Sequence, residues 1–141
     1  EGLQIQPRHL TTKLTLNTSP NSTVNFMRYI ILEDTEQHGT TPVATDFLEA
    51  DDYKSYMEHD SRPRFKFRRS RVLPLYNGTN SAIAFIKDYI KFGKRKRIWY
   101  SGTDATAASM GRGQIYMYLV GSDNTNLCTY SIDSRLRFVD G

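Results

Sequence analysis

Two short windows hold eleven of the chain's nineteen Lys and Arg. Arg62, Arg64, Lys66, Arg68, Arg69 and Arg71 lie in the stretch RPRFKFRRSRVLPL, from Arg62 to Leu75. Lys91, Lys94, Arg95, Lys96 and Arg97 lie in KFGKRKR, from Lys91 to Arg97. Cations at this density recognise polyanions. Against phosphate they act by neutralising charge and releasing counterions, with no covalent step. Aromatic neighbours add to this, because rings beside cations stack bases while the cations hold phosphates. Phe65 and Phe67 interleave with the first window, and Trp99 and Tyr100 follow the second. Phe65 and Phe67 share one parity, which assigns them to a core; Trp99 is open to either role. A single such window also reads as a solvated edge strand whose charges discourage aggregation. Two together favour a surface for polyanions, nucleic acid first, with acidic patches on neighbouring copies or a receptor as the other partners.

Other chemistries find little support. His9, His38 and His59 are far apart and none forms a metal-spaced pair. No Ser sits in a nucleophile elbow, and Gly111-Arg112-Gly113 is too short for a phosphate-binding loop. No catalytic residue and no cofactor is therefore assigned. Glu49, Asp51 and Asp52 are weak candidates for a hard cation such as calcium at a subunit contact, although a solvated acidic loop accounts for them more simply. Asn17-Thr18-Ser19, Asn21-Ser22-Thr23 and Asn77-Gly78-Thr79 match the glycosylation pattern and read as turn chemistry. The one cysteine, Cys128, allows no intrachain disulfide and reads as a small buried hydrophobe. No run reaches the ~18 apolar residues that span a bilayer.

The elements that must position these groups are strands. A chain of 141 residues, 38% hydrophobic, with nine Tyr, seven Phe and one Trp, suits a single domain with its own core. Its charge of +4 is unevenly spread, since nine of fifteen acids fall between Glu33 and Asp60, just ahead of the basic windows. An acidic third beside a basic third suits a protein that meets its own copies or has two different faces. Leu10, Thr12, Leu14 and Leu16 alternate with polar residues, as in a half-buried strand. Val24 to Asp34 is apolar on both parities, as in a central strand. Pro42 to Ala50 reads as a short helix, and Asp51 to Pro63 as an irregular connection. In the first basic window the parity breaks at Arg69 to Arg71, so a bulge sits there or two strands meet. Ala82 to Phe92 fits a helix face or a strand, and its context favours strand. Arg97 to Ser101, Gly113 to Gly121 (read as central) and Leu127 to Val139 complete the set. The last places Cys128, Tyr130, Ile132, Leu136 and Phe138 on an inward parity. This makes about eight antiparallel strands with little helix, an all-β jelly-roll β-sandwich.

An ordered series of segments resembles the single jelly-roll capsid (coat) proteins of small circular single-stranded-DNA viruses and plant satellite viruses. The series runs FMRYIILED from Phe26, a Gly/Pro loop ending at Pro42, RFKFRRSRVLPL from Arg64, and IKFGKRKRIWYSGT from Ile90. It closes with IYMYLVGS from Ile115 and SRLRFVDG from Ser134. The resemblance implies an eight-stranded shell domain spanning residues 1–141. It also implies a non-enzymatic structural protein of the virion that self-assembles into a small icosahedral T=1 shell around a single-stranded nucleic-acid genome. Assembly would take place inside the host cell, with the nucleus as one site. A basic N-terminal arm belongs to this pattern, yet Glu1 to Thr23 holds only Arg8 and Lys13. The arm is thus expected to precede Glu1, or the two basic windows replace it. The rival class is a monomeric jelly-roll binding module, lectin-like or nucleic-acid-binding. An enzyme on a cupin-like barrel would need clustered His and acid ligands, which the sequence lacks.

Overall fold

A strand with one polar face needs cover on one side only, whereas a strand that is apolar on both faces needs cover on two. Both kinds are present. The computed structural model describes residues 3–19, 24–36, 39–76, 83–103, 106–123 and 125–140. Among these, seven strands rather than eight form two antiparallel sheets. They are β1 (Leu3–Asn17), β2 (Val24–Asp34), β3 (Phe65–Tyr76), β4 (Ile83–Lys91), β5 (Ile98–Tyr100), β6 (Gln114–Gly121) and β7 (Thr129–Asp140). In the first sheet β1 is central. It pairs with β7 along one edge and with β4 along the other, and β5 continues the β4 edge. The second sheet has the order β3-β2-β6.

The first sheet explains the alternating strands. Leu10, Thr12, Leu14 and Leu16 face the second sheet and are buried, while Lys13 is exposed. The Ala82 to Phe92 segment is indeed strand: Ile86, Asp88 and Ile90 point inward, whereas Phe85 and Tyr89 are 64% and 54% exposed. Between the sheets the hydroxyls of Thr12 and Tyr29 share a hydrogen bond of 2.9 Å, so these two buried polar groups satisfy each other.

β2 is covered twice. Met27, Tyr29 and Ile31 pack between the sheets with Leu14, Ile86 and Ile90. Ile30 and Leu32 pack on the far side with Phe47, Leu48, Phe65 and Val120. That far side is closed by the excursion between β2 and β3. The expected helix at Pro42 to Ala50 shrinks there to one 3-10 turn, Ala44–Asp46, just ahead of Phe47. The Phe47 ring lies 5.7 Å from Phe65, 6.0 Å from Phe67 and 4.7 Å from Tyr118. Arg28 fastens the excursion down: its Nε donates to Ser70 Oγ at 2.9 Å, and its Nη1 donates to the carbonyls of Tyr53 and Ser55.

The break in parity within β3 is a bulge. Ile31 pairs with Arg69 and Leu32 with Phe67, which leaves Arg68 as the extra residue. The extra residue turns the strand over. Phe65 and Phe67 pack on the far side, whereas Leu73 and Leu75, of the same sequence parity, pack between the sheets.

Two expectations are corrected. β6 pairs only with β2 among the described residues, so it is an edge strand and not a central one. Its double apolar parity reflects cover on both faces, with Met117 on one side and Val120 on the other. β7 is likewise an edge strand, and its inward parity is only partly covered. Leu136 packs on the inter-sheet core, but Ile132 and Phe138 remain 38% and 51% exposed. Cys128 is half-buried, and burial pushes its thiol up. The turn expected at Asn77-Gly78 and most of the Asn17 to Thr23 cluster lie outside the described residues.

Phe47→Ala is expected to lower unfolding free energy by about 3–5 kcal/mol, whereas Phe138→Ala costs about 1 kcal/mol in the isolated chain. Urea titration of both variants checks this ordering; equal losses would contradict it.

Candidate nucleic-acid interface

The basic windows converge on one end of the sandwich and on the seam where β3 passes β4, and buried acids already hold most of them. Glu33, near the end of β2, is buried between two cations: Lys96 Nζ lies 2.6 Å from Oε1, and the Arg68 guanidinium binds Oε2. Lys96 is itself buried and also donates to the carbonyl of Gly113 at 2.5 Å. Asp34 accepts two bonds from Arg64, Nε at 2.9 Å and Nη2 at 2.8 Å. This is the bidentate fork that favours Arg over Lys. At the seam, Asp88 on the inward face of β4 takes Arg71 Nη2 at 2.9 Å and Arg69 Nε at 3.5 Å. Arg69 also donates to the carbonyls of Arg68 and Tyr89. The β3 bulge brings Arg68 and Arg69 to these neighbouring acids.

Burial opposes ionisation of Glu33, but the hydrogen bonds from Lys96 and Arg68 outweigh it and hold the carboxyl below its usual range. On Lys96 burial is the larger influence and pushes the ammonium down against the pull of Glu33. For the pair the lowered Glu33 carries the argument, since two cations face one carboxylate.

Arg62, Lys66, Lys91, Lys94 and Arg95 are exposed and make no ion pair among the described residues. Arg97 Nη1 turns back to the carbonyls of Lys94 and Lys96. Trp99 is half-buried, with the Arg112 guanidinium 5.0 Å from its ring centroid. Lys66, Arg95, Arg97, Trp99 and Arg112 border an open depression of about 620 Å³. The Gly111-Arg112-Gly113 turn is needed for close packing. A Cβ at Gly111 would lie 2.6 Å from the Trp99 carbonyl oxygen, and Gly113 has φ +87.

Glu49, Asp51 and Asp52 are all exposed, and among the described residues no three carboxylate, imidazole or thiol groups gather as metal ligands. Asp52 instead accepts from the Lys54 amide at 3.0 Å. His59 is exposed, His9 lies beside Tyr89 on the outer face of the first sheet, and His38 lies outside the described residues.

One group of cations escaped the search for linear clusters. Lys13, Lys87, Arg135 and Arg137 come from three strands, and only the pairing register assembles them. The outward parity of β1, β4 and β7 is the sequence signal that could have found them.

A two-sheet sandwich whose basic groups are locked by ion pairs, with no constellation for bond chemistry among the described residues, belongs with structural shell proteins. The sequence comparisons give the family. The chain matches the Satellite tobacco necrosis virus coat protein family over residues 1–141, and it belongs to that family. It is 35% identical over 109 residues to the coat protein of Maize white line mosaic Satellite virus, an alignment covering 75% of this chain and 47% of that protein. It is 28% identical over 141 residues to the coat protein of Satellite tobacco necrosis virus 2, covering 99% of this chain and 68% of that one. The chain thus spans about half the length of the first relative and about two thirds of the second.

Lys96→Gln is expected to destabilise the fold by about 3 kcal/mol by taking one partner from a buried pair. Lys94→Gln and Arg95→Gln should each change stability by less than about 0.5 kcal/mol. Denaturant midpoints measure both.

A depressed carboxyl pKa adds stability above the unfolded value of about 4.3, and that stability is lost as pH falls through the folded value. Midpoints followed from pH 7 to pH 3 should therefore drop, and drop less in Glu33→Gln.

Proposed function

We propose that this chain is the shell-forming domain of a satellite-virus capsid subunit, which associates with identical copies into an icosahedral T=1 particle around a single-stranded nucleic-acid genome. The observation that carries the reading is the match of all 141 residues to a coat-protein family. Large apolar side chains left at the surface support it: Tyr56 is 79% exposed and Ile83 70%. Exposed apolar side chains of this size mark surfaces that associate. In a closed shell each copy presents the same patches, so one complementary pair of surfaces is repeated by symmetry. The work of the protein is then burial of surface between copies and neutralisation of packaged phosphate. Its place is the virion, assembled inside the host cell. Wider kinship with the shells of small circular single-stranded-DNA viruses belongs to the same reading and rests on the shared order of segments. Within the basic windows, Arg62, Lys66, Lys91, Lys94 and Arg95 are the members left for phosphate, for a neighbour's acids or for a receptor.

Electron microscopy of the full-length coat protein should show uniform closed shells, with light scattering giving a single large species. A monomer at every salt and protein concentration would overturn this reading and leave a monomeric jelly-roll binding module in its place.

A further inference from the structure

The outer face of the first sheet is unlike the rest of the molecule's charged surface. Its residues form rows across β7, β1 and β4. Arg137, His9 and Lys91 make one row; Arg135, Thr11 and Tyr89 the next; Asp133, Lys13 and Lys87 the third. Strands lie about 4.8 Å apart and successive rows about 6.6 Å, so the cations stand within one small field. Lys13, Lys87, Lys91, Arg135 and Arg137 are all exposed. None has an ion pair among the described residues, and Asp133 is the one acid in these rows. Lys13 directly opposes Lys87. Like charges directly opposite across a strand pair destabilise a sheet. The contrast with Glu33, Asp34 and Asp88 is sharp, because there each acid is matched to Arg or Lys.

Aromatic surface lies in the same field. Tyr89 is 54% exposed with its ring 5.1 Å from His9, and Phe85 is 64% exposed two residues along β4. Lys13, Lys87, Arg135 and Arg137 surround a shallow trough of about 450 Å³. Unpaired cations interleaved with exposed rings fit the sugar-phosphate chain and splayed bases of a single strand. The opposite side of the sandwich has the other sign. There the excursion over the second sheet exposes Asp46, Glu49, Asp51 and Asp52.

We infer that the outer face of the β7-β1-β4 sheet is the surface that lies against packaged single-stranded nucleic acid, and that the acidic excursion faces away from it. This rests on the shell reading above and adds the orientation of the subunit within the shell. Contact is sequence-independent, because cations meet phosphates and rings meet base faces without reading base edges.

The test uses full-length coat protein, a single-stranded oligothymidylate and the variant Lys13→Gln/Lys87→Gln/Arg135→Gln/Arg137→Gln, with Lys54→Gln as control. Each lost phosphate contact flattens the slope of log affinity against log salt by about 0.7, so the quadruple variant should lose up to about three units. The control should lose none. The oligonucleotide should also raise the melting temperature of the wild type and not that of the variant. In intact particles, acetylation should reach Lys54 and spare Lys13 and Lys87. An unchanged salt slope overturns the inference. So does a variant that keeps its slope but fails to assemble, since the face would then be a subunit contact. Labelling of Lys13 and Lys87 with protection of Lys54 overturns it as well. Absence of particles from the wild type would sink the shell reading, while the oligonucleotide slopes still judge this face.

Discussion

β2 has no face it can show to water, and the rest of the molecule follows from that. Tyr29 and Ile31 on one side and Ile30 and Leu32 on the other are all essentially inaccessible. One side is met by the opposing sheet. The other requires cover that a two-layer sandwich does not supply, and the excursion carrying Phe47 and Leu48 provides it. Each fully buried side chain of this size contributes about 1.5–3 kcal/mol, so the excursion is held by its own small core and not only by its loop hydrogen bonds. Arg28 adds direction, tying Ser55 and Tyr53 to the surface of β3.

The second organising element is the pairing of acids with bases. The acidic third and the basic third of the chain are largely solving each other's problem. Glu33, Asp34 and Asp88 would each be costly as lone buried carboxylates. Arg64, Arg68, Arg71 and Lys96 compensate them. A run of cations in sequence is therefore a poor guide to free charge in space. The cations without such a partner are scattered in the sequence, and the sheet register assembles them.

What could be read beforehand follows the same division. Strand identity was legible wherever one face is polar, as in β1, and the bulge in β3 was visible as a break in parity. The resemblance drawn on ordered segments reached the coat-protein family, with the satellite-virus side of it supported. Strand position was not legible. Double apolar parity marks cover on two faces, and β6 has that while standing at a sheet edge. Phe138 has the right parity for a core, yet an edge strand carries it past the end of what covers it. The partners of Lys96 and Arg68 were hidden because Glu33 lies in a segment that reads as apolar strand, and only folding brings it to them.

The pairing of β1 with β7 has a consequence in time. Asn17 meets Thr129 and Ile5 meets Asp140, so a strand made early waits for one made more than a hundred residues later. Loops that long make such contacts slow to form. β2 and β3 can zip together once the excursion between them is out, whereas β1 must idle with both edges bare. During synthesis on the ribosome, its row of Leu10, Leu14 and Leu16 has no partner strand until β4 emerges and lacks its full sheet until β7 does. That interval, rather than any weakness of the finished sandwich, is where nascent chains of this kind are open to mispairing with one another.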